Sequence, residues 1–77
     1  MKIEVFGTGC AKCKRLERNV IEALDQAGIK AEVVKIEDID AITDRGIMVT
    51  PALAIDGMLR FMGKVPTVGE LVEMLKE

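Results

Sequence analysis

The hydrophobic pattern changes its period twice within residues 1–36, and this change constrains the fold more than any other feature of the sequence. A short apolar segment at residues 3–6 precedes a helical face of apolar residues over Ala11–Ala27, and a second short apolar segment follows at residues 31–36. A strand–helix–strand unit of this kind requires a right-handed crossover between two parallel strands. The sequence therefore predicts an α/β fold.

The dipeptide Asp56-Gly57 predicts a β-hairpin in the second half of the chain. It separates two apolar runs, at residues 52–55 and 58–62. A type I′ turn needs positive φ at both central positions, and Asp-Gly is one of the dipeptides that tolerate this. The hairpin adds antiparallel strands to the parallel pair, so the predicted sheet is mixed and has four strands.

Two further segments complete the predicted architecture. Residues 38–46 carry a weak helical pattern that stops at Gly46, and Thr67 and Glu70 have the spacing of a capping box at the start of a last helix. The predicted order is β-α-β-α-β-β-α, with helices flanking the sheet, in a single domain over residues 1–77.

The composition excludes several classes of function. A chain without histidine has no Ser-His-Asp or Cys-His catalytic pair and no histidine-ligated metal. The net charge of −2 gives no general case for nucleic-acid binding, and the longest nearly apolar run, residues 47–55, is too short to span a membrane. Because Glu4 interrupts the N-terminus, we expect no signal-peptide core and a cytoplasmic protein.

Cys10 and Cys13 form the motif that carries the predicted chemistry. They stand where the first strand ends and the first helix begins, and their spacing puts them one helical turn apart on one face. Free backbone N–H groups and the positive end of the helix dipole favour a thiolate at Cys10. We therefore predict that Cys10 is the nucleophile and that Cys13, one turn further in, is the resolving cysteine.

A basic cluster surrounds the two cysteines: Lys12, Lys14, Arg15 and Arg18. Helix electrostatics favours acidic residues at this position by about 0.3–1 kcal/mol per charge, so the cluster breaks a local rule. Such departures are expected at functional sites. We expect Lys12, Lys14 and Arg15 in particular to stabilise the Cys10 thiolate and to steer acidic or thiolate-bearing partners. A solvated basic face without a function is the alternative.

Other interpretations of the cysteine pair remain open at this point. A purely structural disulfide would close a very short loop and contribute only about 2 kcal/mol, and a zinc site would need ligands from a second chain. A carrier of Cu(I) or Hg(II) is the stronger alternative, because soft thiolates suit soft metals. Small ferredoxin-like metal carriers, however, run β-α-β-β-α-β and usually have Met where this chain has Thr8. A redox-sensing interaction module without turnover is a further alternative.

The sequence resembles the thioredoxin/glutaredoxin superfamily over nearly its whole length. The resemblance rests on Val5-Phe6-Gly7, Cys10-Ala11-Lys12-Cys13, Val49-Thr50-Pro51 and Asp56-Gly57, followed by the last helix. It looks closest to the short thioredoxin-like redox-active disulfide proteins of archaea and some bacteria. The resemblance implies the minimal, glutaredoxin-like form of the thioredoxin fold and a thiol–disulfide oxidoreductase, and it gives a reason for Val49-Thr50-Pro51 that a metal carrier does not.

The resemblance also implies residue roles. Cys10 would attack a substrate disulfide, and Cys13 would then release the reduced substrate and leave a Cys10–Cys13 disulfide. Pro51 is expected to be cis and to pack beside this disulfide, with the backbone of Thr50 free to pair with an extended substrate segment. The implied partners are disulfides of proteins or small molecules and a recycling reductase. No cofactor or metal is implied, and we expect a monomer.

The sequence departs from the superfamily pattern around the cysteines. Gly9 stands where thioredoxins usually have Trp, and Ala11-Lys12 stands where they usually have Gly-Pro. Glutaredoxins usually have an aromatic residue just before the second Cys, where this chain has Lys12. The paired-glycine segment and nearby Asp of glutaredoxins are missing too, which argues against glutathione as a partner. Glu4 lies six residues before Cys10, near the position of the buried acid that accepts a proton in thioredoxins. A solvent-facing Glu4 is the more common outcome on such a strand, and a proton acceptor is the alternative.

Overall fold

The computed structural model describes residues 1–76. Its elements, in chain order, are β1 (Lys2–Phe6), α1 (Ala11–Ala27), β2 (Glu32–Ile36), α2 (Ile39–Asp44), β3 (Ala52–Ile55), β4 (Met58–Met62) and α3 (Val68–Leu75). This order confirms the β-α-β-α-β-β-α prediction. No helix within residues 1–76 is both long enough and apolar enough to cross a membrane.

The strands form a mixed four-stranded sheet in the order β2-β1-β3-β4. β1 runs parallel to β2, with Phe6 opposite Ile36, and antiparallel to β3, with Phe6 opposite Ala52. β3 and β4 form the hairpin, which has a register shift between Leu53 and Ala54. The sheet confirms the predicted thioredoxin-like fold. It also places the end of β1, from which α1 starts, between two neighbouring strands.

Asp56 and Gly57 make the turn of the hairpin, with φ angles of 51° and 85°. Positive φ at both positions is what a type I′ turn requires. The Lys2 amide donates to the Asp56 carboxylate over 2.8 Å, and the Asp56 amide donates to the Lys2 carbonyl, also over 2.8 Å. The turn thereby fastens the hairpin to the first residue of β1.

β1 buries both of its faces, so the sheet has a hydrophobic core on each side. Ile3 and Val5 belong to the larger core, which includes Leu16 and other side chains of α1 and α3. Phe6 belongs to a smaller core together with Ile42 of α2. Because side chains alternate along a strand, each residue of β1 faces either α1 and α3 or α2.

Glu4 is the buried charged side chain among residues 1–76, and it shares the α2 face with Phe6. Its two carboxylate oxygens accept hydrogen bonds from the Arg45 guanidinium, over 2.9 and 3.2 Å. The guanidinium carbon also lies 5.1 Å from the centroid of the Phe6 ring. Hydrogen bonding to Arg45 holds the pKa of Glu4 below its ordinary value, although burial acts in the opposite direction. The solvent-facing orientation favoured by the sequence is therefore wrong, because Arg45 at the end of α2 covers the carboxylate.

We expect Arg45→Met to lower the free energy of unfolding by about 2 kcal/mol at neutral pH, because it leaves a buried carboxylate without its partner. Pairing lowers the folded-state pKa of Glu4 below its ordinary value of 4.5. The pair therefore stabilises the wild-type fold fully above that value, and this contribution is lost as pH falls through the folded-state pKa. Denaturant unfolding of both proteins at several pH values measures the difference.

Lys30→Met is the control for this experiment, because Lys30 is exposed and its removal changes the net charge by the same amount. We expect it to leave the free energy of unfolding almost unchanged. Equal destabilisation by the two variants, or a loss in Arg45→Met that does not shrink in acid, would contradict the role assigned to Arg45.

Candidate active site

Gly7, directly after β1, makes room for the cysteine pair. Its amide donates to the Ile36 carbonyl over 3.0 Å, which extends the pairing of β1 with β2 by one residue. A Cβ at this position would overlap the Cys13 sulfur and would lie only 2.9 Å from the Cys13 Cβ. The missing side chain therefore lets Cys13 pack directly against the end of the strand.

Cys10 is the N-cap of α1, and its extended backbone (φ −69°, ψ 167°) leads the chain into the helix. Its sulfur accepts a hydrogen bond from the Cys13 amide over 3.3 Å and lies 2.6 Å from the Cys13 sulfur. Both residues are free thiols, of which Cys10 is exposed and Cys13 is buried. The Cys10 sulfur is therefore the outer one and accessible from solvent, and the Cys13 sulfur is the inner one, buried beside it.

The surroundings of the two thiols shift their pKa values in opposite directions. The pKa of Cys10 is lowered first by the hydrogen bond with the Cys13 thiol, and further by the backbone N–H groups of Cys13 and Lys12. The pKa of Cys13 is raised first by burial and then by the same contact with Cys10. The reduced pair therefore favours a thiolate on Cys10 and a thiol on Cys13.

The basic side chains predicted to tune Cys10 lie exposed on the first turns of α1: Lys12, Lys14, Arg15 and Arg18. No acidic residue shares the first turn with them. The groups that lower the pKa of Cys10 most are the Cys13 thiol and the helix amides rather than these cations. The cluster lies where it can act on a partner that approaches Cys10.

Pro51 is buried directly before β3, and the Thr50–Pro51 peptide bond is cis. The Pro51 carbonyl accepts a hydrogen bond from the Gly63 amide over 2.8 Å. Thr50 is half-buried and lines a groove of about 230 Å³ together with Thr8, which belongs to the loop before Cys10. The structure thus brings Thr50 and the cysteine loop to the same groove.

Apolar side chains from α2 and from the loop after it line the opposite side of this groove. Ile39 is 65% exposed and Met48 is 91% exposed. Exposed apolar side chains next to a groove are typical of binding surfaces. The sequence shows them only as an apolar run before Pro51 and a helical pattern, and neither signal distinguishes exposed from buried residues.

A much smaller cavity, of about 10 Å³, lies against Cys13. It is lined by Val5, Gly7, Gly9, Cys13, Lys14, Lys35 and Glu37. The Lys35 ammonium lies 3.6 Å from the Glu37 carboxylate and 3.3 Å from that of Glu17. Neither Lys35 nor Glu37 is predictable from the cysteine motif, because they reach Cys13 only through the pairing of β2 with β1.

Glu4 is not part of this arrangement. Val5 and Gly7 line the cavity at Cys13, whereas Glu4 points to the other face of β1 and binds Arg45. The sheet therefore separates the Glu4 carboxylate from the Cys13 sulfur. The expected alternative role of Glu4, as a proton acceptor for the cysteines, finds no support in this placement.

The known proteins that this chain resembles are thioredoxins. The family model described as a thioredoxin domain matches residues 1–76. A thioredoxin from Methanothermobacter thermautotrophicus is 45% identical over 75 residues, which is 97% of each chain. A thioredoxin from Methanocaldococcus jannaschii is 45% identical over 74 residues, covering 96% of this chain and 85% of its own. A probable thioredoxin from Methanothermobacter marburgensis is 38% identical over 81 aligned positions, covering 100% of this chain and 94% of its own.

We expect Cys13→Ala to raise the pKa of Cys10, because it removes the hydrogen bond that lowers this pKa most. The double variant Lys12→Glu/Arg15→Glu is expected to raise it by a smaller amount, since exposed charges act through solvent and are screened by salt. The pH dependence of the rate at which iodoacetamide alkylates Cys10 measures the pKa in each variant.

Lys30→Glu/Lys76→Glu is the matched control, because it reverses two exposed charges outside the basic cluster. An unchanged Cys10 pKa in Cys13→Ala would show that the thiol–thiol contact does not activate Cys10. A larger shift in Lys12→Glu/Arg15→Glu than in Cys13→Ala would show that the cations dominate.

Proposed function

The chain belongs to the thioredoxin family, and we propose that within it Cys10 attacks disulfide substrates and Cys13 resolves the mixed disulfide that results. It is a thiol–disulfide oxidoreductase with a CxxC pair. Its substrates are therefore disulfides, and its partner is a reductase that returns the pair to the dithiol form. One observation supports the division of roles: an exposed Cys10 caps the helix with a buried Cys13 thiol 2.6 Å behind it.

The reaction runs in two exchange steps. The Cys10 thiolate attacks one sulfur of the substrate disulfide, forms a mixed disulfide and expels the other substrate sulfur as a thiolate. Cys13 then loses its proton and attacks the Cys10 sulfur, which breaks the mixed disulfide and expels the second substrate thiolate. The substrate gains two electrons, the Cys10–Cys13 pair becomes a disulfide, and the substrate thiolates exchange protons with water.

The groove between Thr8 and Thr50 is the proposed docking site for the segment that carries the substrate disulfide. Its walls combine these two hydroxyls with the exposed side chains of Ile39 and Met48. An extended segment with an apolar residue near its cysteine fits such a surface. Pro51, the next residue in the chain, is fully buried, and we expect it to fix Thr50 at the groove.

The basic cluster is proposed to steer partners rather than to hold them. Lys12, Lys14 and Arg15 are exposed beside the attacking sulfur, and exposed charges of one sign raise the rate of encounter with acidic surfaces. The partners favoured on this basis are protein or small-molecule disulfides with acidic surroundings and a reductase with an acidic docking face. Glutathione is disfavoured, because the glutaredoxin paired-glycine segment is missing.

The compartment and the oligomeric state are part of the same proposal. The cytoplasm is proposed because its reducing conditions keep an exposed dithiol in the reduced form. A monomer is proposed because one chain supplies both cysteines and the groove beside them.

We expect Cys10→Ser to reduce the dithiothreitol-dependent reduction of insulin to background, because the attacking thiolate is lost. Cys13→Ser should keep the first attack and accumulate a mixed disulfide on Cys10, because the resolving thiol is lost. Insulin turbidity measures turnover, and intact-protein mass spectrometry detects the trapped adduct. Lys30→Ser, a substitution at an exposed residue outside the site, is the control and should retain wild-type turnover.

Unchanged turnover in both cysteine variants would rule out the proposed mechanism. Tight binding of Cu(I) by the reduced protein, without reduction of any disulfide, would favour a metal carrier instead. Within residues 1–76, Cys, Asp and Glu side chains form no group of three or more that could hold a metal ion.

A further inference from the structure

The second exchange step requires an acceptor for the Cys13 proton. Cys13 is buried, and both burial and its contact with Cys10 raise its pKa. A thiol of this kind reacts slowly unless a base takes its proton as the new bond forms. Glu4 lies on the other face of the sheet and is already bound to Arg45.

The pairing of β1 with β2 places Glu37 on the same face of the sheet as Cys13. Phe6 is opposite Ile36, and the Gly7 amide binds the Ile36 carbonyl, so the residue after β2 lies beside Gly7. Glu37 directly follows β2, and its carboxylate lies 3.6 Å from the ammonium of Lys35, which also reaches Glu17 on α1. Cys13 packs on that same face of Gly7.

Glu37 and Cys13 line the same cavity of about 10 Å³, which is close to the roughly 10–15 Å³ that a single water requires. The residues with charged or titratable side chains that line this space are Cys13 itself, Lys14, Lys35 and Glu37, and the Cys10 sulfur contacts that of Cys13. Protonated Lys14 and Lys35 have no lone pair to accept a proton. Glu37 is therefore the carboxylate of this cavity within the described part of the chain.

Lys35 holds the Glu37 carboxylate from the side of β2. Its ammonium lies 3.6 Å from Glu37, and a second ion pair with Glu17 at 3.3 Å fixes its position from α1. The Glu37 side chain is 57% exposed. A proton accepted from Cys13 can therefore leave to bulk water without any change in the fold.

We propose that Glu37, oriented by Lys35, accepts the Cys13 proton through one water molecule in this cavity while Cys13 attacks Cys10. The Cys13 S–H bond breaks and the Cys13–Cys10 bond forms, while the bond between Cys10 and the substrate sulfur breaks with its electron pair on the substrate. The proton passes from Glu37 to solvent, from which the substrate thiolate can take one up. The inference rests on the proposed function, in which Cys13 is the resolving cysteine.

A rapid-quench experiment on the full chain tests this role. Reduced protein is mixed with a disulfide-linked peptide pair, the reaction is stopped with acid, and mass spectrometry follows the mixed disulfide on Cys10. We expect Glu37→Gln to form the mixed disulfide at the wild-type rate and to resolve it about tenfold more slowly at pH 7. This loss is smaller than the roughly 100- to 10,000-fold typical of a general base, because Glu37 is partly exposed. Glu37→Asp should recover part of the rate. The deficit of Glu37→Gln should shrink as pH rises and Cys13 ionises without help.

Glu32→Gln is the matched control, because Glu32 is an exposed carboxylate of β2 that does not line the cavity. It should resolve the mixed disulfide at the wild-type rate. Wild-type resolution in Glu37→Gln, an equal loss in Glu32→Gln, or a deficit independent of pH would each overturn the role of Glu37. If the wild-type protein forms no mixed disulfide on Cys10, the proposed function itself fails, which is a different outcome.

Discussion

The packing of the Cys13 sulfur on Gly7 is the contact on which the rest of the site depends. Because a Cβ on Gly7 would overlap this sulfur, Cys13 can lie buried at the end of β1. Cys10, one turn earlier at the helix cap, is then left exposed. This difference in position accompanies the opposite shifts in pKa of the two thiols, and these shifts support the proposed division between attack and resolution.

The two faces of the sheet contribute differently to the surroundings of Cys10 and Cys13. On the α1 face, Cys13, Lys35 and Glu37 line a cavity with room for about one water, and the proposed proton transfer is assigned to this face. On the α2 face, Arg45 binds Glu4 and packs over the Phe6 ring. This pair anchors the end of α2, from which the chain continues to the groove and the cis proline. The sheet separates this buried carboxylate from the Cys13 sulfur, and its hydrogen-bond partner is Arg45.

Most of the fold was predictable because its signals are local: a helical face, a capping box and a hairpin turn each occupy a few neighbouring residues. Cys10 and Cys13 were identifiable for the same reason, since their chemistry depends on one helical turn. The burial of Glu4 was not predictable, because strand alternation shows which residues share a face of the sheet but not which side chains cover that face. Here a weakly patterned helix brings Arg45 over it. Glu37 comes to Cys13 through the register of two strands distant in sequence, which no local pattern contains.

In the reduced protein, we expect the exposed Cys10 sulfur to be the reactive one. The most direct measurement treats the reduced chain at pH 7 with less than one equivalent of iodoacetamide and locates the label by fragmentation mass spectrometry. A thiolate at a helix cap reacts far faster than a buried thiol, so we expect label on Cys10 in at least about tenfold excess over Cys13. Equal labelling of the two cysteines, or preferential labelling of Cys13, would contradict it.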